Sequence, residues 1–97
     1  MHDDTKMNTK VDNDSRRIHD TVAGNIRAAR ARLDIKQRDL ADRMKALGHN
    51  WHRLTVSRVE RGYRKVSAEE VVGLCVALQV DRDDLLPRQE QRGGQRA

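Results

Sequence analysis

The chain has very few aromatic residues and no long apolar run. Among its 97 residues Phe is absent, and Trp51 and Tyr63 are the only aromatic side chains. Apolar residues make up 36% of the sequence and charged residues another 36%, so the chain can bury only a small core. We therefore expect a single all-helical domain with a core of Leu, Val, Ile, Ala and Met side chains.

The chain has one cysteine, Cys75, so no disulfide can form within it. Because Cys75 lies in the apolar run over residues 71–78, a buried structural thiol is favoured over a redox sensor. His49 and His52 have a short His-x-x-His spacing, but a fourth zinc ligand is missing. The sequence therefore predicts neither a metal ion nor a cofactor.

Several functional classes lack the residue patterns that they need. No run of about 18 apolar residues could span a bilayer, and no apolar stretch follows the N-terminus as in a secretory signal. Asp81, Asp83 and Asp84 have no partner base or nucleophile, and no Gly-rich phosphate loop occurs. We therefore expect a cytoplasmic protein that is neither an enzyme nor a membrane protein.

Positive charge is concentrated in the middle of the chain. The net charge is +5, which favours an anionic partner, either nucleic acid or an acidic membrane. Residues 36–65 hold nine Lys and Arg and three Asp and Glu, whereas residues 66–86 hold one and five. These segments carry net charges of +6 and −4, a polarity that a generic solvated surface does not need.

Apolar residues recur at helical spacing in the first half of the chain. A first helix is predicted to start near Asp20 or Thr21, either of which can cap it. It ends at Asp34, which tolerates a left-handed turn. A second helix starts at Gln37 and continues through residue 47, and Gly48 closes it.

The third predicted helix carries the most informative pattern. It starts near Trp51 or His52 and stops at Gly62. At about 3.6 residues per turn, Val56 and Val59 point inward. An outer stripe faces the other way and consists of Arg53, Leu54, Ser57, Arg58 and Arg61. This stripe suits the major groove of DNA, because arginine can bond guanine O6 and N7 and an apolar group can contact a thymine methyl.

Two capping patterns follow the third helix. Ser67 and Glu70 predict a capping box that opens a fourth helix over residues 68–78. Asp81 and Asp84 repeat the arrangement for a short fifth helix, which Pro87 closes. The polar chain ends lack apolar periodicity, so three regions are predicted: a disordered arm (1–19), a helix-turn-helix domain (20–87) and a disordered basic tail (88–97).

Residues 21–86 resemble the lambda-repressor-like, Cro/Xre-type helix-turn-helix domain. No single matching segment is specific, but their order and spacing are close to those of the family. The matching segments are residues 26–30, 37–41, 55–62, 67–72, 77–80 and 84–86. The resemblance implies a compact five-helix, all-α fold. It also implies a sequence-specific DNA-binding transcription regulator, a repressor, that reads the major groove with helix three, about residues 52–61.

The resemblance also implies roles for individual residues. Gln37 matches a glutamine that bonds a DNA phosphate and braces the recognition helix. Arg30 and Glu60 match an ion pair that ties helix one to the end of helix three. The positions that match base-facing ones are Arg53, Leu54, Ser57 and Arg58. The positions that match backbone-contacting ones are Arg61, Arg64 and Lys65. Independently of the family, Tyr63 either donates its hydroxyl to a phosphate or covers the loop.

The chain departs from the family at two places. Asp34 stands where the family usually has glycine. About four or five residues are added between Met44 and Trp51, so helix two is expected to run on by another turn before a longer connection. Trp51 is expected to anchor that connection in the core, with stacking on nucleic acid as the alternative.

The implied partner is double-stranded DNA. Specific sites for such domains are usually two half-sites about 10 base pairs apart, read by a two-fold dimer. A homodimer is therefore expected, formed in solution or only on DNA, through the family's usual contact in helix five around Leu85 and Leu86. No membrane partner is expected.

Two other classes of function stay open. One is an interaction protein, such as the antitoxin of a toxin–antitoxin pair, which uses a helix-turn-helix to control its own promoter. Its protein partner would bind the flexible ends, residues 1–19 or 88–97, and a stoichiometric pull-down would reveal it. The other is a non-specific nucleoid or RNA binder, for which Arg58→Ala would weaken binding to the operator no more than to random DNA.

Overall fold

A computed structural model of the protein describes the backbone of residues 2–87 and the side chains of residues 17–87. This part of the chain contains five α-helices and no strand, which confirms the predicted all-α, five-helix fold. The helices are α1 (His2–Leu33), α2 (Gln37–Ala46), α3 (Arg53–Glu60), α4 (Ala68–Leu78) and α5 (Arg82–Leu85). None of them combines the length and apolar character that crossing a bilayer requires. The predicted tail, residues 88–97, lies outside the described residues.

The predicted start of the first helix is wrong, because α1 begins at His2. Thr21 does not cap it: its hydroxyl donates to the carbonyl of Arg17, 3.0 Å away, within the helix. Nucleation is the costly step of helix formation, so residues that precede an established helix join it at the lower cost of propagation. Among the described side chains of α1, core burial begins at Val22. The separation of residues 1–19 from the domain stays a prediction.

The core lies where the five helices meet. Val56 and Val59 are buried, as the helical phase of α3 predicts. Each large apolar side chain removed from water stabilises the fold by about 1.5–3 kcal/mol. The fully buried residues of largest volume are Trp51, Ile26, Leu40, Met44, Leu74, Leu78, Leu85 and Val56.

Two turns set the direction of α2. Asp34 has a φ of 56°, which confirms its predicted left-handed conformation, and its N–H donates to the carbonyl of Ala31 at 3.0 Å. At the other end α2 continues to Ala46, with Leu47 as its C-cap and Gly48 at a φ of 98°. The predicted extra turn of helix two is therefore present. Residues 47–52 connect α2 to α3.

Both predicted capping patterns are confirmed. The Glu70 N–H donates to Ser67 Oγ at 3.1 Å, and the Ser67 N–H donates to Glu70 Oε1 at 2.8 Å. At α5, the Asp81 N–H donates to Asp84 Oδ2 at 2.9 Å. These bonds satisfy backbone donors that a helix start otherwise leaves free.

The short helix α5 packs within its own chain. Leu85 is fully buried in the core of its own chain, and Leu86 packs against that core while partly exposed. Asn25 Nδ2 of α1 also donates to the Leu85 carbonyl at 2.9 Å. Leu85 is therefore occupied by contacts within its own chain, and the expected dimer contact around Leu85 and Leu86 stays a prediction.

Candidate nucleic-acid interface

The third helix presents one buried face and one open face. His52 caps α3 in an extended conformation, and its N–H donates to Thr55 Oγ1 at 3.2 Å. The helix ends at Glu60, and Gly62 then turns the chain with a φ of 78°. Because Val56 and Val59 fix the inner face, the outer face is set by the helical period.

The outer stripe predicted from the sequence lies on this open face. Arg53, Arg58 and Arg61 are exposed, Leu54 is 53% exposed, and Ser57 is partly exposed. None of the three arginines forms an ion pair with a described residue. The stripe therefore offers three uncompensated cations around an exposed leucine. The roles of these residues at DNA stay predictions.

Glu60 fixes the C-terminal end of α3 to the two preceding helices. Its carboxylate is buried and accepts from Arg30 Nε at 2.7 Å and from Arg30 Nη2 at 3.1 Å. It also accepts from Gln37 Nε2 at 3.0 Å, and Arg27 donates to its backbone carbonyl. A third Arg30 donor, Nη1, reaches the Ile35 carbonyl at 2.9 Å, so the guanidinium also holds the turn between α1 and α2.

The N-terminus of α2 opens onto the same side as the start of α3. An open concavity of about 1010 Å³ separates them. It is lined by Arg30, Asp34, Ile35, Lys36, Gln37, Arg38, Asp39 and Arg53. The first N–H groups of a helix favour phosphate through their free donors and the helix dipole. Gln37 and Arg53 therefore border one continuous open surface.

A cluster of Trp51, Arg64 and Glu70 joins the two flanks of α3 to the first turn of α4. Trp51 is buried, as its predicted anchoring role requires, and its Nε1–H donates to Glu70 Oε2 at 3.0 Å. Arg64 donates to both carboxylate oxygens, at 2.8 Å and 3.2 Å, and its guanidinium lies 5.3 Å from the Trp51 ring centroid. The hydrogen bonds from Arg64 lower the pKa of Glu70 to about 2, although burial opposes them.

Sequence reasoning missed this cluster and assigned Arg64 to the DNA backbone. Its side chain is 37% exposed, and it is held by Glu70 and by a 3.0 Å bond to the Lys65 carbonyl. The two other side chains expected at the backbone in this loop are open: Tyr63 is 76% exposed and Lys65 is also exposed. The only sequence signal was the capping box, which positions Glu70 but not its partners.

The added residues between α2 and α3 pack against α4 rather than projecting freely. A Cβ atom at Gly73 would lie 2.9 Å from Nε2 of His49 and 3.3 Å from Cε of Met44. Glycine therefore lets the His49 ring approach the α4 backbone. Burial raises the pKa of the nearby Cys75 thiol, which favours its neutral form. The described residues include no group of three or more His, Cys, Asp or Glu that could hold a metal ion.

The matches to known proteins agree with this geometry. A family model described as "Helix-turn-helix" matches residues 26–85, more than half of the chain. The chain belongs to the helix-turn-helix family. This match confirms the resemblance to a helix-turn-helix domain that the sequence indicated. In this helix-turn-helix, α2 and α3 are the two helices and residues 47–52 are the turn.

Three solved structures share the fold with a TM-score of 0.62. The restriction-modification controller protein C.AhdI from Aeromonas hydrophila is 26% identical, over 70% of this chain and 91% of that one. The clp gene regulator ClgR from C. glutamicum is 25% identical, over 81% and 92%. The DNA-binding domain of BldD is 24% identical, over 73% and 96%, and shows the fold alone. No curated protein matches the chain.

The helix-turn-helix family and these neighbours agree on a coarse function. The protein is a DNA-binding transcription regulator.

Proposed function

We propose that the protein is a sequence-specific repressor that places α3 in the major groove of double-stranded DNA. The outer stripe is the observation that carries the proposal. An exposed leucine among three unpaired arginines gains nothing in the free protein, whereas a major groove offers thymine methyl groups and guanine acceptors. The stripe therefore matches both kinds of group that the groove presents.

The residues around the stripe divide into base and backbone contacts. Base edges are contacted by Arg53, Leu54, Ser57 and Arg58. Phosphates are contacted by Gln37, Arg61, Tyr63 and Lys65. The Gln37 amide carries two N–H donors, so it can bond Glu60 with one and a phosphate with the other. Backbone contacts set the orientation of α3, and base contacts set the sequence that it prefers.

Selection of binding sites from random duplex DNA tests this proposal. We expect one shared half-site motif, and we expect the double variant Arg53→Ala, Arg58→Ala to lose it. The matched control is Arg32→Ala, Lys45→Ala, which removes the same charge from exposed positions outside α3. Bound duplexes without a common motif would contradict sequence-specific reading and favour the charge-only binder.

Repression is tested separately from recognition. A reporter promoter that overlaps the selected site should lose expression when the protein is present, because a bound regulator excludes other proteins from the same stretch. The Arg53→Ala, Arg58→Ala variant should restore expression. Increased expression with the wild-type protein would identify an activator instead.

We propose that the regulator acts as a homodimer assembled on DNA through the outer face of α4. Val72 and Val76 are 58% and 60% exposed, and they border a groove that is also lined by Cys75 and Val80. A helix that is apolar on nearly all sides is normally covered. Asp81, Arg82 and Asp83 place both charge signs at the groove, so opposite charges can pair across a self-complementary two-fold contact.

This face leaves the outer stripe free. α3 packs against α1 and α2, whereas α4 packs against α1, α2 and α5. Two valines make a small contact, so the dimer should be weak in solution. Adjacent half-sites raise the effective concentration of one copy at the other and stabilise it.

The single cysteine reports this contact without engineering. A short bismaleimide should join two copies through Cys75 only on DNA with two half-sites. Val76→Asp should abolish the product, and Ala68→Asp, about 12 Å away along the same helix, should not. Equal cross-linking of Val76→Asp and wild type would exclude this face.

A further inference from the structure

We propose that Arg64 and Glu70 are positioning residues that set the docking angle of α3, and that Arg64 is not itself a phosphate contact. The inference rests on the proposed sequence-specific function. It concerns the Trp51–Arg64–Glu70 cluster, in which Trp51 lies just before α3 and Arg64 lies just after it.

The connection between α2 and α3 makes such a device necessary. Residues 47–52 form a longer turn than a tight helix-turn-helix has, and α3 spans only Arg53–Glu60. Glu60 and the buried valines attach such a short helix to the core, and contacts on both of its flanks restrict its remaining tilt. One carboxylate holds them here, because Glu70 Oε2 accepts from Trp51 on the N-terminal flank and from Arg64 on the C-terminal flank.

The geometry requires arginine at position 64. Its guanidinium donates to both oxygens of Glu70 and at the same time lies over the Trp51 ring. A lysine ammonium is a single point of charge and cannot reproduce this planar, two-bonded contact. Lysine would nevertheless serve almost equally well as a phosphate contact. Arg64→Lys therefore separates the two roles.

Replacing Glu70 also distinguishes the two roles, because they predict changes of opposite sign in DNA affinity. Removing a carboxylate close to DNA raises affinity for all DNA when only charge matters. Loss of the contact that orients α3 lowers affinity for the cognate site alone. Glu69→Gln is the matched control, since Glu69 is the exposed neighbour in the same first turn of α4 and loses the same charge.

The experiment measures affinities of the full chain for the selected site and for random duplex DNA. We expect Arg64→Lys and Glu70→Gln each to lose roughly tenfold on the selected site, as expected for charge-assisted hydrogen bonds. Arg64→Lys should bind random DNA as tightly as the wild type does. Glu70→Gln should bind random DNA as tightly as the control Glu69→Gln does. Retained cognate affinity in either variant would overturn the proposal.

Two further readouts exclude a purely structural effect. Trp51 is the only tryptophan, so its emission should shift in both variants while circular dichroism reports an intact helical fold. Trp51→Phe keeps an aromatic side chain in the core but removes the donor to Glu70, and it should lose cognate affinity in the same way. Full cognate affinity in Trp51→Phe would contradict the proposed contact.

Salt dependence distinguishes the cluster from the phosphate contacts. The slope of log affinity against log salt should be unchanged in Arg64→Lys, because no phosphate contact is lost. A reduced slope in Arg64→Lys would identify a direct phosphate contact and overturn the positioning role. If the wild-type chain showed no preference for any sequence, the proposed function would fail instead, whatever the variants do.

Discussion

The surroundings of Glu60 and Glu70 hold the same helix in different ways. Glu60 closes α3 itself and is buried among donors from α1 and α2. Glu70 lies on α4, is partly exposed, and holds the flanks of α3 rather than the helix. The comparison indicates that Glu60 attaches α3 to the domain, whereas Glu70 adjusts how the attached helix is presented.

Removing Glu60 should have the largest effect. Glu60→Ala leaves Arg30 without its carboxylate and Gln37 without an acceptor. Breaking a buried pair costs about 3–5 kcal/mol, and the lower end is expected because 22% of the Arg30 side chain is exposed. Urea denaturation measures the loss. Glu69→Ala, at an exposed position, should stay within about 0.5 kcal/mol of wild type, and an equal midpoint for both variants would show that Glu60 does not attach α3.

Acid should remove the contribution of Glu70 to the stability of the fold. Its pKa is lowered from 4.5 to about 2, mainly by the Arg64 hydrogen bonds. A lowered pKa in the folded state adds stability above pH 4.5, and this stability is lost as the pH falls towards about 2. Melting temperatures of wild type and Glu70→Gln should therefore differ at pH 7 and converge in that window. If the difference in melting temperature between the two proteins stayed constant down to pH 2, the Arg64 contact would not stabilise the fold.

The features that the sequence could predict are the ones set by local patterns. Helical phase predicts the outward stripe and the burial of Val56 and Val59, because the period of a helix fixes directions over a few residues. Capping patterns predict the start of α4 for the same local reason. The Arg30 and Glu60 pairing came from the family resemblance alone, since positions so far apart carry no common period.

Other features depend on tertiary packing that local patterns do not contain. Trp51 and Arg64 lie in connections, where no repeat predicts which way a side chain points, so their meeting at Glu70 was missed. α5 is too short for its phase to show that Leu85 is buried. The early start of α1 reflects propagation from an established helix, which the polar composition of residues 1–19 conceals.

Arg58 and Arg64 also differ in their surroundings, since Arg58 is exposed whereas Arg64 is paired with Glu70. Arg58 has no ion-pair partner among the described residues, so its donors are free for guanine. Arg58→Ala should lose roughly 1–3 kcal/mol of affinity on the selected site and little on random duplex DNA. Competition binding with both duplexes measures the two losses. Equal losses would make Arg58 a backbone contact and leave sequence reading to the rest of the outer stripe.

Lys65 gives the smallest effect and tests the loop beside the cluster. Its side chain is exposed, whereas that of its neighbour Arg64 is bound to Glu70. Because one phosphate contact releases about one counterion, Lys65→Ala should reduce the salt slope by about 0.9 and weaken binding to all duplexes alike. Lys45→Ala, which removes an exposed charge at the end of α2, should leave the slope unchanged. If Lys65→Ala also left it unchanged, the loop would lie outside the DNA interface, and the cluster would then hold α3 without holding a phosphate contact.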